Sequence, residues 1–153
     1  MNCQSLFDAA GAALHMHTAD SRWNVPLLTR SWRVLNDVSD CARTLTVMQF
    51  NVLAHGLSEA ESDWGGFDAV HACLEWTARR WRLLQVIASV DADVIALEEC
   101  DEFEWFAAQL RPAGYEGVHV PKPRAPAAVL GVSLADGCAV FWRTARLSCV
   151  GPP

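Results

Sequence analysis

Hydrophobic positions are patterned most clearly from Thr44 onward; residues 1 to about 43 carry no sustained period. Thr44 to Phe50 starts in alternation and is rich in β-branched side chains, which predicts a strand running on into Asn51-Val52-Leu53-Ala54. Ser58, Glu59, Glu61, Asp63 and the Gly65-Gly66 pair predict a polar loop. From about Ala69 to Val90 the period turns helical. Leu74, Ala78, Trp81, Leu84 and Ala88 share one face at spacings of three and four, and Arg79, Arg80 and Arg82 fall elsewhere. Asp91-Ala92-Asp93 ends that pattern. Val94-Ile95-Ala96-Leu97 is a short continuous apolar run, as in a strand covered on both faces, and it gives way to Glu98, Glu99, Cys100 and Asp101. Phe103 to Leu110 reads as a second amphipathic helix, stopped by Arg111-Pro112-Ala113-Gly114. Tyr115 to Val120 reads as a strand broken by Pro121-Lys122-Pro123. After a Pro- and Ala-rich loop to about Ala135, Gly137 to Arg143 and Leu147 to Val150 are strand-like around a tight turn.

This order of strand, helix, strand, helix, strand, strand predicts an α/β or α+β domain with helices covering a sheet. The chain divides into 1–43, a poorly ordered leader or arm, and 44–153, the organised domain. The leader holds at most a short helix near Leu6 to Leu14, and Trp23, Val25, Leu27, Leu28 and Trp32 could pack on the domain as an extended arm.

Composition narrows the function classes. Over 153 residues, 52% are apolar, enough for a packed core and too many for a disordered chain. The net charge of −6 supplies no basic face for duplex DNA. An acidic chain can still act on phosphate esters where a divalent cation and a few local cations neutralise charge. Lys122 is the one lysine among twelve basic residues. None of the six cysteines forms a CxxC pair, so zinc is not indicated; Cys100 and Cys138 read as small core residues of a reducing compartment. No apolar run approaches a membrane span and no secretory signal is present, so the expected place is the cytoplasm or mitochondrion, not the secretory route.

Five positions could carry chemistry. Glu98-Glu99 ends the buried strand, where a carboxylate could hold magnesium, which prefers oxygen donors; a solvated carboxylate pair is the plainer alternative. Asn51 could donate to a phosphate oxygen or orient a carboxylate, or simply form a turn. Lys122, between two prolines, could hold an ammonium over a site with little entropy loss, or be a surface lysine. Asp136 precedes Gly137 at a strand start and would sit at the rim of the sheet, or simply belong to turn-and-strand packing. Arg79, within Trp76-Thr77-Ala78-Arg79-Arg80, could serve a phosphate or a buried carboxylate, or be solvated or bridging.

Taken in order, five segments resemble one family. They are Val47-Met48-Gln49-Phe50-Asn51-Val52-Leu53-Ala54, Leu74-Glu75-Trp76 through Arg79-Arg80, Asp93 through Asp101, Gly114-Tyr115-Glu116-Gly117 with Pro121-Lys122-Pro123, and Asp136-Gly137-Cys138-Ala139-Val140-Phe141. The chain resembles the endonuclease/exonuclease/phosphatase superfamily in its CCR4/nocturnin-like branch. The resemblance implies the first half of a four-layer α/β/β/α sandwich and a Mg²⁺-dependent phosphohydrolase. It implies Glu99 as magnesium ligand and catalytic residue, Asn51 as a catalytic residue at the scissile phosphate, and Lys122 and Asp136 on the substrate side. The substrate it implies is a nucleotide phosphate, the 2′-phosphate of NADP(H), or alternatively the 3′ end of a poly(A) RNA. Glu98 stands where the family has Gln. The family's remaining catalytic residues have no counterpart before Pro153, so the resemblance also implies an incomplete site in this chain, and a non-catalytic product is the third reading. The metal-dependent readings require Glu99 at the sheet rim to share one cleft with Asn51.

Overall fold

A computed structural model describes residues 1–17, 31, 44–59, 74–125 and 135–151. The expected arm around Trp23 to Trp32, the Gly65-Gly66 loop and the helical start at 69–73 lie outside them. The elements are helix α1 (Cys3–His17), strand β1 (Val47–Asn51), a short helix α2 (His55–Glu59), helix α3 (Trp76–Val90), strand β2 (Val94–Cys100), helix α4 (Phe103–Leu110) followed by a 3₁₀ turn (Arg111–Ala113), strand β3 (Tyr115–Pro121) and strand β4 (Gly137–Arg143). The strands form one sheet in the order β1-β2-β4-β3. β1 and β2 are parallel, and β4 is antiparallel to both of its neighbours.

Burial explains the layering. Met48, Ile95, Leu97, Ala139, Phe141 and Tyr115 turn to the helices and are buried, alongside Leu84 and Ile87 of α3 and Phe106 and Leu110 of α4. Each large apolar side chain buried this completely contributes about 1.5–3 kcal/mol. The opposite face of the sheet keeps Val47 64%, Val120 69% and Val140 38% exposed. Helices thus cover one sheet face, which matches two layers of the expected sandwich.

α1 is longer than the expected Leu6–Leu14 helix and belongs to the core. Asn2 caps it, its Oδ1 accepting from Ser5 N at 2.8 Å. Cys3, Leu6, Ala10 and Leu14 are all buried, at spacings of three and four. α1 lies against α3.

Three expectations need correction. Leu147 to Val150 is no strand: Arg146 N and Leu147 N both donate to Arg143 O, the chain turns out of the sheet, and Val150 is 96% exposed. Cys138 is exposed rather than core, because Gly137 and Ala139 take the helix-facing positions on either side of it. Arg79 is buried, against its expected place off the packed face.

The end of the sheet where β2 starts is stapled by charge. Asp93 is buried, accepts from Thr46 N at 2.9 Å and pairs with Arg146 at 2.5 Å. The hydrogen bond from Thr46 leads the causes that hold its carboxyl below the usual range. Arg143 bonds Asp91 and, at 2.7 Å, the Tyr115 hydroxyl.

Candidate functional site

Strand directions bring the four predicted residues to one edge. Asn51 ends β1 and Glu99 lies at the end of β2. β3 runs parallel to β2 through their common antiparallel neighbour, so Lys122, just beyond Pro121, leaves at that same edge. β4 starts there, directly after Asp136. The apolar stretches of the strands hold the scaffold, and polarity begins where each strand surfaces.

A bulge aims Glu99. Leu97 pairs with Ala139 and Cys100 with Gly137, so Glu98 and Glu99 together oppose Cys138 alone. In a regular strand Glu99 would follow Ile95 and Leu97 onto the helix-facing side. The extra residue passes that place to Cys100, which is fully buried and whose thiol burial pushes up to about 12. Glu99 adopts φ +53°, a left-handed conformation that costs a non-glycine residue about 1–2 kcal/mol. Leu53, two residues past Asn51, has φ +54°. Two of the three positive-φ non-glycine residues among the described ones therefore flank this edge.

Asn51 Nδ2 donates to Glu99 Oε1 at 2.8 Å, while Asn51 Oδ1 accepts from Leu53 N at 2.8 Å. The amide is held on both sides and fixes one carboxylate oxygen. Glu98 pairs in register with Asn51 and its backbone carbonyl accepts from Val52 N. Lys122 Nζ sits 2.7 Å from Asp136 Oδ2, and that bond raises the ammonium's pKa; the charge of Glu99 adds to the rise. Along the sheet order β1-β2-β4-β3, Asn51, Glu99, Asp136 and Lys122 thus follow one another at this edge.

Arg79 is the supporting residue that pattern alone did not place. Its guanidinium donates to Val52 O at 2.6 Å and Leu53 O at 2.8 Å, and lies 5.4 Å from the Trp76 ring. It bridges two backbone carbonyls and so clamps the turn that presents Asn51, and the charge of Asp101 acts on it. The spacing Trp76-x-x-Arg79 was the available signal.

Among the described residues no group of three or more His, Cys, Asp or Glu could hold a metal unaided. Glu99 offers hard oxygen donors at the edge, which fits magnesium taking its other ligands from water and a substrate phosphate. A groove of about 430 Å³, lined by Phe103, Ala107, Arg111, Tyr115 and Trp142 among others, contains none of the four residues.

No family model matches the chain. Individual proteins do. The CCR4-Not complex 3′-5′-exoribonuclease subunit Ccr4 of Phaeosphaeria nodorum is 32% identical over 122 residues, covering 76% of this chain and 20% of that protein. Human nocturnin is 32% identical over 117 residues, covering 73% of this chain and 27% of nocturnin. The human nocturnin catalytic domain with bound sulfate superposes with a TM-score of 0.58 at 30% identity, over 70% of this chain and 36% of that one. The chain belongs to the endonuclease/exonuclease/phosphatase superfamily, in its CCR4/nocturnin-like branch. A further superfamily structure, the 2′,3′-cyclic phosphatase ANGEL2 in complex with adenosine-2′,3′-vanadate, matches with a TM-score of 0.56 at 26% identity, over 70% of this chain and 29% of that one. The superfamily relatives are nucleases and phosphatases, and the chain spans about a quarter or less of the length of these curated relatives. Among the described residues no helix is long and apolar enough to cross a membrane.

Proposed function

We propose that this chain carries the Glu99 half-site of a magnesium-dependent phosphohydrolase of nocturnin type, acting on phosphate esters of nucleotides such as the 2′-phosphate of NADP(H). The observation that carries the reading is the Asn51–Glu99 hydrogen bond at a shared edge with Lys122. Asn51 fixes one oxygen of Glu99 and leaves the other for a metal. Lys122 presents a cation to a phosphate arriving at the same edge. Magnesium, when bound, would neutralise charge on the phosphoryl oxygens and on the leaving oxygen. The bound sulfate of nocturnin and the adenosine-2′,3′-vanadate of ANGEL2 are tetrahedral or phosphate-like oxyanion ligands of relatives, in keeping with this substrate class. An acidic chain with one lysine favours a small nucleotide over a polyanionic RNA.

The second reading is a CCR4-type poly(A) 3′-exoribonuclease, and the 32% identity to Ccr4 favours it. Phosphate release from NADP⁺ set against shortening of an A-tailed RNA separates the two. Both are measured with and without Mg²⁺, on the 153-residue chain and on any longer product of the same reading frame. We expect the 153-residue chain to turn over poorly and the longer product to release phosphate. In the longer product Glu99→Ala should cost on the order of 10²-fold or more, and Glu98→Gln under about threefold. Equal losses from the two substitutions, or turnover that survives chelation, would overturn the assignment of Glu99. Preferential RNA shortening would install the second reading.

A further inference from the structure

Asp136 was expected on the substrate side, but it is only 1% exposed, while the side chain of Lys122 is 52% exposed. A carboxylate that deep has no route to a ligand arriving from solvent. It holds Lys122 at two points instead. Asp136 Oδ2 lies 2.7 Å from Nζ, and the Asp136 backbone carbonyl accepts from Lys122 N at 2.8 Å. The pair thereby extends the β3–β4 ladder one step past the Pro121–Gly137 register. Gly137 makes this approach possible. A Cβ there would lie 2.7 Å from Pro121 Cα and 2.8 Å from His119 Nε2, so any side chain would push the strands apart beneath Lys122.

The other oxygen, Asp136 Oδ1, is buried and has no hydrogen-bond partner among the described residues. Among the described residues Lys122 is the cation paired with this carboxylate, and pulling the ammonium away would leave a buried charge unpaired, which is strongly unfavourable. An ammonium has three donors, and one is committed to Asp136. The side chain is half exposed, which leaves the remaining two open to solvent, and the charge of Glu99 acts on the same ammonium.

From this geometry we propose that Asp136 is a positioning residue: it does not touch substrate, and it locks the Lys122 ammonium so that its free donors meet a phosphate at the Glu99 edge. The proposal rests on the phosphate-site reading above, and its test separates the two. Because Lys122 is the only lysine, protein grown on ¹⁵N,¹³C-lysine reports one side-chain ammonium.

In the unmodified chain the Lys122 ammonium should give a single resolved, slowly exchanging peak. Titrated inorganic phosphate and, separately, NADP⁺ should move it saturably. Asp136→Asn, with folding checked by circular dichroism, should abolish the slow exchange and weaken phosphate binding about tenfold. Measured instead by the ligand's own ³¹P signal, phosphate affinity in a Lys122→Met background should not change further on adding Asp136→Asn. A residue in direct ligand contact would show a second loss there. An averaged, free-lysine peak in the unmodified chain overturns the proposal without any variant, and so does an additive loss in the double variant. A locked ammonium that is released by Asp136→Asn but ignores both ligands supports the positioning and overturns the phosphate-site reading.

Discussion

Replacing Arg79 with Met should unfasten the turn that presents Asn51, and the cost can be worked from its contacts. The guanidinium bridges Val52 O and Leu53 O, two carbonyls more than twenty residues away in sequence. Val52 is 3% exposed, so its carbonyl would stay dry and unpaired, a penalty of about 1–3 kcal/mol. Leu53 is half-buried and its carbonyl can hydrate, which limits that loss to about 0.5–1.5 kcal/mol. The contact with the Trp76 ring at 5.4 Å contributes about 0.5–1 kcal/mol. Against these stands the relief of desolvation, since burial lowers the pKa of Arg79. Methionine also refills much of the stem's volume. The net expectation is a loss of about 2–3 kcal/mol, a large share of a domain's usual stability. With a urea dependence of about 1–3 kcal/mol per molar, the midpoint should fall by about 0.7–3 M. Urea unfolding followed by circular dichroism reads this directly. Arg79→Lys should recover less than half, because one ammonium cannot reproduce the planar fork across both carbonyls. A midpoint shift worth under about 0.5 kcal/mol for Arg79→Met would refute the clamp.

Asp93 has a folded-state pKa below its unfolded value, led by the bond from Thr46 N, so its contribution is complete above the unfolded pKa of about 3.9 and is lost as pH falls through the folded value. Asp93→Asn should cost about 1–2 kcal/mol near neutral pH and progressively less in acid, read from urea midpoints at both; parallel pH profiles would contradict this account. Among the described thiols, brief iodoacetamide treatment of the native chain should label Cys138 and Cys149, which are exposed, and spare Cys3 and Cys100. Burial pushes Cys100 up to about 12. Its thiolate is then only about one part in 10⁴ near pH 8, and peptide mapping that finds Cys100 labelled as fast as Cys138 would rule out the β2–β4 packing.

Much of the secondary structure was legible because each element buries one face, and a buried face writes its period into the chain. β1 to β4, α4 and most of α3 fall where alternation, apolar runs and helical spacing put them. α1 was only partly legible, since the small side chains of Cys3 and Ala10 dilute its apolar stripe. Leu147 to Val150 looks like a strand by type, but a strand needs a partner ladder, and the turn closed on Arg143 O carries it away from one. Arg79 escaped for a related reason: its partners are backbone carbonyls, which no residue pattern names.

At the site, residue identity and strand-end position were set by local sequence, because a carboxylate, an amide or an ammonium ends up where an apolar strand surfaces. Their convergence was not local. It needs β4 inserted antiparallel between β2 and β3, so that the start of one strand lies beside the ends of its neighbours. It also needs one extra residue at Glu98-Glu99, since period two alone would send Glu99 into the core with Leu97. The burial of Asp136 behind Lys122 belongs to the same class. Period encodes which face is buried, a property of neighbours along the chain; strand order and register are chosen by long-range pairing, and only folding makes that choice.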